Sequence, residues 1–200
     1  MSQQHVIGLT GGIATGKSTV AAFLQETYGW PVLDADVCAR EAVMPGSPVL
    51  EAIASRYGSE ILQEDGTLDR SRLADVIFKD VAERKWLEGQ IHPFVRQRFV
   101  EGIDRHDETV VLVVPLLFEA KMTDLVTEIW VVACSPEEQL RRLRQRNGYS
   151  EEEARSRIEA QLPLDRKCQQ ADLVLDNSGD RRVWQRQIDR WVRERPNGSP

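Results

Sequence analysis

Short runs of consecutive apolar residues alternate along this chain with stretches whose apolar positions recur every three or four residues. The first run, Val6 to Leu9, ends at a glycine-rich turn. A strand covered on both faces loses its in–out alternation, so an unbroken apolar run of this length predicts a buried parallel strand. A helix is predicted from Lys17 to about Tyr28, and Pro31-Val32-Leu33 reads as a second short strand closed by Asp34-Ala35-Asp36. Further buried strands are predicted at Val110–Val114, Ile129–Ala133 and Leu173–Asp176. Ser135-Pro136-Glu137-Glu138 has the form of a capping box with proline inside it, and Ser150 with Glu153 forms a second, opening a helix that Pro163 terminates. Trp184, Ile188 and Trp191 stand at i, i+4 and i+7 on a C-terminal helix, followed by a frayed tail, Arg195 to Pro200. Strands alternating with helices predict the α/β class, with a parallel sheet covered by helices on both faces.

Connections in such folds run to a few residues. The long stretch before Val110 therefore predicts an insertion, residues 41–109, within a core made of residues 1–40 and 110–200. The insertion reads as helical. Ser47-Pro48 is an N-cap followed by proline at the first helical position; Leu50, Ile53 and Tyr57 continue the stripe, and Gly58 stops it. Asp65-Gly66 marks a tight turn, compatible with a small hairpin after Ile61-Leu62. Leu73, Val76 and Ile77, then Ile91, Val95 and Phe99, extend the helical pattern.

Composition narrows the classes. With 200 residues, 41% hydrophobic and 29% charged, the chain suits an ordinary globular enzyme. A formal charge of -6 argues against a duplex nucleic-acid binder, and no obligate protein partner is evident. Cys38, Cys134 and Cys168 are odd in number and widely spaced, without a C-x-x-C pair for zinc or a disulfide framework. The start, Met1-Ser2-Gln3-Gln4-His5, lacks the basic and apolar regions of a signal peptide, and the apolar run ending at Phe118 is too short for a bilayer. No membrane association is expected, and the default compartment is the cytoplasm.

Chemistry enters at Gly11-Gly12-Ile13-Ala14-Thr15-Gly16-Lys17-Ser18, a complete G-x-x-x-x-G-K-[ST] motif. Chance would place such a motif in roughly one chain in a hundred of this length, but here a strand precedes it and a helix follows. Backbone amides from Gly12 through Thr19 are then expected to cradle a nucleotide's phosphates at the helix N-terminus. Lys17 reaches the β- and γ-phosphates, Ser18 offers its hydroxyl to the Mg²⁺ that accompanies ATP, and Thr19 reaches the α-phosphate.

The strand at Val110–Val114 ends without an acid, so the carboxylates of the site are sought at Asp34 and Asp36. Residues two apart on an extended strand point to one side, and strand ends in such sheets face the ligand crevice. Asp36 is assigned the proton of an acceptor hydroxyl and Asp34 the support of the metal shell or the acceptor substrate; the two can be exchanged, and either can instead cap the next helix. Arg141, Arg142, Arg144 and Arg146 crowd one predicted helix. Arg142 and Arg146 share a face and suit a helical lid, residues 140–165, that neutralises a transferring phosphoryl group.

Taken together, the stretches Leu9 to Ser18, Leu33 to Asp36 with Ala39-Arg40, Ile91-His92-Pro93, Pro115 to Glu119, Gln139 to Arg146, and Ala171 to Gly179 resemble the dephospho-CoA kinase family over nearly the full length. The resemblance implies phosphorylation of the ribose 3′-hydroxyl of dephospho-CoA by ATP, the last step of coenzyme A synthesis. It implies a nucleotide core, a CoA-binding helical insertion and a lid. It makes Asp36 the catalytic base, Asn177 a neighbour of the ATP base, and Thr10, His92, Pro115, Leu116 and Leu117 acceptor-side residues. One departure stands out: where some members carry an aspartate two residues before the Pro-Leu-Leu turn, this chain has Val113. The alternatives are a P-loop kinase for a nucleoside, nucleotide or sugar acid, and a regulatory GTPase; for the latter, Asp176 to Gly179 spells D-x-x-G but no N-K-x-D follows.

Overall fold

A computed structural model describes residues 4–194. The first three residues, read for a leader, and the tail from Arg195 lie outside the described residues. Five strands form one sheet: β1 (Val6–Gly11), β2 (Val32–Asp34), β3 (Val110–Val113), β4 (Glu128–Ala133) and β5 (Leu173–Asp176), in the order β2-β3-β1-β4-β5. β1 pairs in parallel with β3 and β4, and β4 with β5. Register follows from side chains: Ile7 and Leu9, Val111 and Val113, Trp130 and Val132, and Leu175 all enter one core cluster. That face is closed by Val20, Ala21 and Leu24 of α1 (Lys17–Tyr28) and by Trp184 and Ile188 of the last helix (Arg182–Glu194), so the i, i+4, i+7 stripe packs as its spacing predicts.

The chain divides into two compact units, residues 1–33 with 106–200 and residues 34–105. The pattern of apolar positions predicts this division at 40/41 and 109/110. Its earlier start has a physical cause: Asp34 caps α2 (Ala35–Glu41), and α2 packs on α5 (Val81–Ile103), with Arg98 reaching Glu41 at 3.5 Å. The second unit also holds α3 (Pro48–Tyr57) and α4 (Arg70–Lys79) around a core containing Leu50, Ile53, Leu73 and Leu87. Ser47 Oγ accepts from the Leu50 amide at 3.1 Å, and Gly58 ends α3 at φ 84. The Asp65-Gly66 turn closes a minimal hairpin in which Leu62 bridges Leu68 and Gln63 N–H donates to Thr67 O at 2.7 Å. The stripe through Ile91, Val95 and Phe99 belongs to α5, which carries Pro93 in its interior.

In the first unit, α6 (Pro136–Asn147) and α7 (Glu151–Glu159) form a helical hairpin where the lid is expected, and α8 (Leu164–Gln169) returns to pack on β4. The chain leaves α7 at Ala160, three residues before Pro163, which opens α8. Among the described residues, no helix is long and apolar enough to cross a membrane.

Candidate active site

β1 delivers the glycine-rich turn to the N-terminus of α1. Gly11 and Gly16 sit at φ 150 and φ 103, and a side chain at either would collide, with the Val132 carbonyl oxygen or with the Asn177 side-chain nitrogen. Glycine is therefore demanded twice, by backbone angle and by close approach. Gly16 is also the N-cap of α1 and brings no side chain to its first amides, which leaves that positive end suited to an anion. Lys17 folds back along the turn, its Nζ donating to Gly12 O at 2.8 Å and Gly11 O at 3.3 Å. Thr15 is buried, and its hydroxyl donates to Gly12 O at 3.0 Å. Ala14 adopts φ 60, rare for a residue with a Cβ. Ser18 is exposed on the first turn of α1, with Thr19 beside it; the Thr19 amide donates to Gly16 O at 3.0 Å.

Side chains from elsewhere in the unit hold the turn from outside. Asn177, 5% exposed, donates from Nδ2 to Thr15 O at 2.8 Å and accepts from Trp184 Nε1 at 3.0 Å. Its amide is thus a brace behind the phosphate turn. Arg142 lies where the sequence puts it, on α6. Its Nη2 donates to Asn177 O at 2.8 Å, Nη1 to Thr15 O at 3.3 Å and Nε to Glu138 Oε1 at 2.6 Å. The Arg141 guanidinium, followed by that of Arg142, draws the Glu138 carboxyl down to about 2. Arg146, one turn further along, is exposed, and its Nε donates to Asn147 Oδ1 at 2.9 Å. Gln139 and Gln161 hold Ile13: Gln139 Nε2 donates to Ile13 O at 2.9 Å, and Ile13 N–H donates to Gln161 Oε1 at 2.8 Å.

A second network was not legible in the sequence. Lys167 of α8 is fully buried; its Nζ lies 3.0 Å from Glu119 Oε1 and donates to Pro115 O at 3.0 Å. Thr10 Oγ1 donates to the same carbonyl at 3.3 Å, and Leu162 N–H to Glu119 Oε1 at 3.0 Å. The Pro115–Glu119 turn is thereby tied to β1 and to the segment returning from α7. Within that turn Leu116 is exposed, whereas Leu117 is fully buried, its side chain against Gly8. Nothing in the local pattern marks Lys167, because lysine on a short polar helix is ordinarily a solvated residue.

The remaining candidates belong to the other unit. Asp34 is the N-cap of α2: its Oδ1 accepts from the amides of Asp36 at 2.7 Å and Val37 at 3.4 Å. Asp36 lies in the first turn of α2, and His92 lies on α5 beside Pro93. Among the described residues no cluster of three or more His, Cys, Asp or Glu side chains is gathered to hold a metal. The donor that fits Mg²⁺ is the Ser18 hydroxyl, a hard oxygen next to the phosphate-binding turn; Mg²⁺ commonly binds through one or two protein oxygens plus substrate phosphates.

A parallel sheet whose first strand feeds a complete phosphate-binding turn, with an arginine-bearing helical hairpin beside it, defines a kinase of the P-loop class. A family model described as dephospho-CoA kinase matches residues 5–182. A dephospho-CoA kinase from Synechocystis sp. is 55% identical over 179 residues, covering 88% of this chain and 89% of the relative. A solved structure from Thermus thermophilus superimposes with a TM-score of 0.82 at 36% identity, covering 96% of this chain and 98% of the other. A dephospho-CoA kinase structure from Campylobacter jejuni shares the fold, with a TM-score of 0.71 at 24% identity over 96% of this chain and 97% of that one. This chain belongs to the dephospho-CoA kinase family.

Proposed function

We propose that this protein transfers the γ-phosphoryl group of ATP to the ribose 3′-hydroxyl of dephospho-CoA, releasing CoA and ADP. The observation that carries the reading is the phosphate turn of residues 11–18, complete in sequence and braced on its outer side by Asn177, Arg142 and two glutamines, in a chain of this family. Phosphoryl transfer proceeds through a loose transition state, so the protein's task is alignment and charge neutralisation. Lys17 and the amides following Ile13 hold the β- and γ-phosphates. Mg²⁺, held by Ser18 together with the phosphates, supplies neutralisation of their oxygens. Asp36 takes the proton from the 3′-hydroxyl as its oxygen bonds to the γ-phosphorus and the bridging bond to ADP breaks. Asp34 secures the start of α2 and so the placement of Asp36. Arg142 and Arg146 answer the charge on the transferring group.

Asn177 supports the nucleotide site through Thr15. The second unit, with His92, together with Thr10 and the Pro115–Leu117 turn, serves the acceptor. The α6–α7 hairpin acts as the lid, and the reaction belongs in the cytoplasm.

Purified protein, ATP and Mg²⁺ with a panel of hydroxyl acceptors tests the reading. ADP release is expected with dephospho-CoA and to disappear when Mg²⁺ is chelated; release with a nucleoside or sugar acid but not with dephospho-CoA would overturn it. Asp36→Asn is expected to lower kcat at least 100-fold, within the range that general bases contribute, while ATP affinity changes less than threefold. Equal losses in both would mark Asp36 as structural.

A further inference from the structure

The α6–α7 hairpin leaves the core just past Gln139 and rejoins it at Gln161, and both of these root residues bond the same residue of the phosphate turn. A trans peptide is rigid and points its C=O and N–H in opposite directions, and no described peptide here is cis. Gly12 O is turned inward, accepting from Lys17 Nζ and from Thr15 Oγ1. The Ile13 N–H on the far end of that peptide therefore faces outward, where Gln161 Oε1 receives it. Gln139 then draws Ile13 O outward, so the Ala14 N–H of the next peptide faces the inside of the turn.

Ala14, which follows, holds φ 60, a conformation an alanine adopts only when its surroundings impose it. Gln139 is 4% exposed, and its position leaves no room for a side chain at residue 12. Gln161 is steadied in turn by its neighbour Leu162, whose amide donates to the Glu119 carboxylate that Lys167 also holds.

We propose that Gln139 and Gln161 are positioning residues that form a two-point brace at the root of the α6–α7 hairpin, setting the Ile13 peptides so that Ala14 N–H is aimed at the nucleotide's phosphates. Because the brace stands on the two ends of the hairpin, any displacement of the hairpin is passed to the phosphate turn, and nucleotide affinity and hairpin position become linked. The proposal rests on the ATP-binding reading above and does not depend on the acceptor.

The two glutamines have opposite hydrogen-bonding duties, and this provides the test. Equilibrium binding of Mg²⁺·ATP, steady-state kinetics and thermal unfolding are measured on the full-length protein and on Gln161→Leu, Gln161→Glu, Gln139→Leu and Gln139→Glu. Gln161→Glu keeps an acceptor for Ile13 N–H, whereas Gln139→Glu sets a carboxylate against the Ile13 carbonyl while adding the same charge.

The expected result is about a tenfold weaker Kd and a higher KM for ATP in either leucine variant, the loss of one net hydrogen bond, with KM for dephospho-CoA within twofold. Gln161→Glu should stay within threefold of the parent, and Gln139→Glu should bind more weakly than Gln139→Leu. Unchanged ATP affinity in both leucine variants would overturn the proposal. So would equal effects of the two glutamates, or parallel losses in both KM values accompanied by a lower Tm. The binding measurements need no acceptor, so a wrong acceptor would leave them intact; parent protein that bound no ATP would sink both readings.

Discussion

At the scale of single residues, the most consequential side chain is one that reads as ordinary in the sequence. Lys167 carries a charge into the interior and finds there one carboxylate and one carbonyl. Removing one partner of such a pair leaves the other uncompensated, at roughly 3–5 kcal/mol when both are buried. Glu119 keeps 28% of its side chain exposed, so water screens part of that cost and about 2 kcal/mol is expected for Lys167→Met. Urea unfolding checks it, and Lys167→Met combined with Glu119→Gln should cost clearly less than the two changes summed. Additive losses would mean that the two groups do not act as a pair. Glu128 gives a comparable lesson: it accepts from the indole N–H groups of Trp130 and Trp191 at 2.9 and 2.6 Å and lies 3.1 Å from His5 Nε2. His5, without a role in the sequence reading, is part of a polar cluster set among aromatic rings.

At the scale of elements, two identical signals have different outcomes. Ser150 and Glu153 complete their capping box: Glu153 N–H donates to Ser150 Oγ at 3.2 Å, and Ser150 N–H to Glu153 Oε2 at 2.8 Å. Ser135 and Glu138 form only half of theirs. Glu138 N–H reaches Ser135 Oγ at 3.2 Å, but Ser135 N–H donates to Ser178 Oγ at 3.0 Å and the Glu138 carboxylate takes Arg141 and Arg142 instead. Three charge-assisted bonds outweigh one bond to a backbone amide, and a neighbouring loop satisfies the vacated donor. Ser150→Ala should therefore cost about 1 kcal/mol in urea unfolding, the usual value of an N-cap, with ATP affinity unchanged. Glu138→Ala should weaken ATP binding several-fold by titration, because Arg142 loses the anchor that holds it against Thr15 O. A Glu138→Ala protein with full ATP affinity would contradict that role.

At the scale of the whole molecule, each unit carries a strongly depressed carboxyl and a raised phenol. Glu138 in the first unit and Glu83 in the second are both pulled to about 2, Glu83 by hydrogen bonds from Arg56 first and then Tyr57. Burial, reinforced by Asp189, pushes Tyr28 up, and burial reinforced by Glu83 takes Tyr57 to about 12. Depressed carboxyls contribute stability that is fully present above the ordinary carboxyl range near 4.5 and is lost as pH falls toward 2. Raised phenols contribute stability that is present below 10 and is lost as pH climbs toward 12. The urea midpoint is thus expected to be flat from about pH 5 to 8 and to fall on both sides, the alkaline limb starting early because burial also raises the thiols of Cys38, Cys134 and Cys168. Glu83→Gln should soften both limbs, since the same carboxylate serves Arg56 and Tyr57. A midpoint that drops between pH 8 and 5 would show that other groups govern.

The sequence by itself determined the local elements whose stability is decided within a few residues: the strand-to-turn step at Gly11, the Ser47-Pro48 start, the Gly58 stop, and the amphipathic stripe through Trp184. It also carried the phosphate motif, since glycine angles and the Lys17-Ser18 pair are local requirements. The tertiary structure alone decided which distant groups meet. It packed α2 on α5, turned Asn177 and Arg142 into supports for Thr15, buried Lys167 against Pro115 and Glu119, and set two glutamines on Ile13. Those pairings span tens to more than a hundred residues of chain. Periodicity reports only which face of an element is apolar; it cannot say which polar partner that face will find.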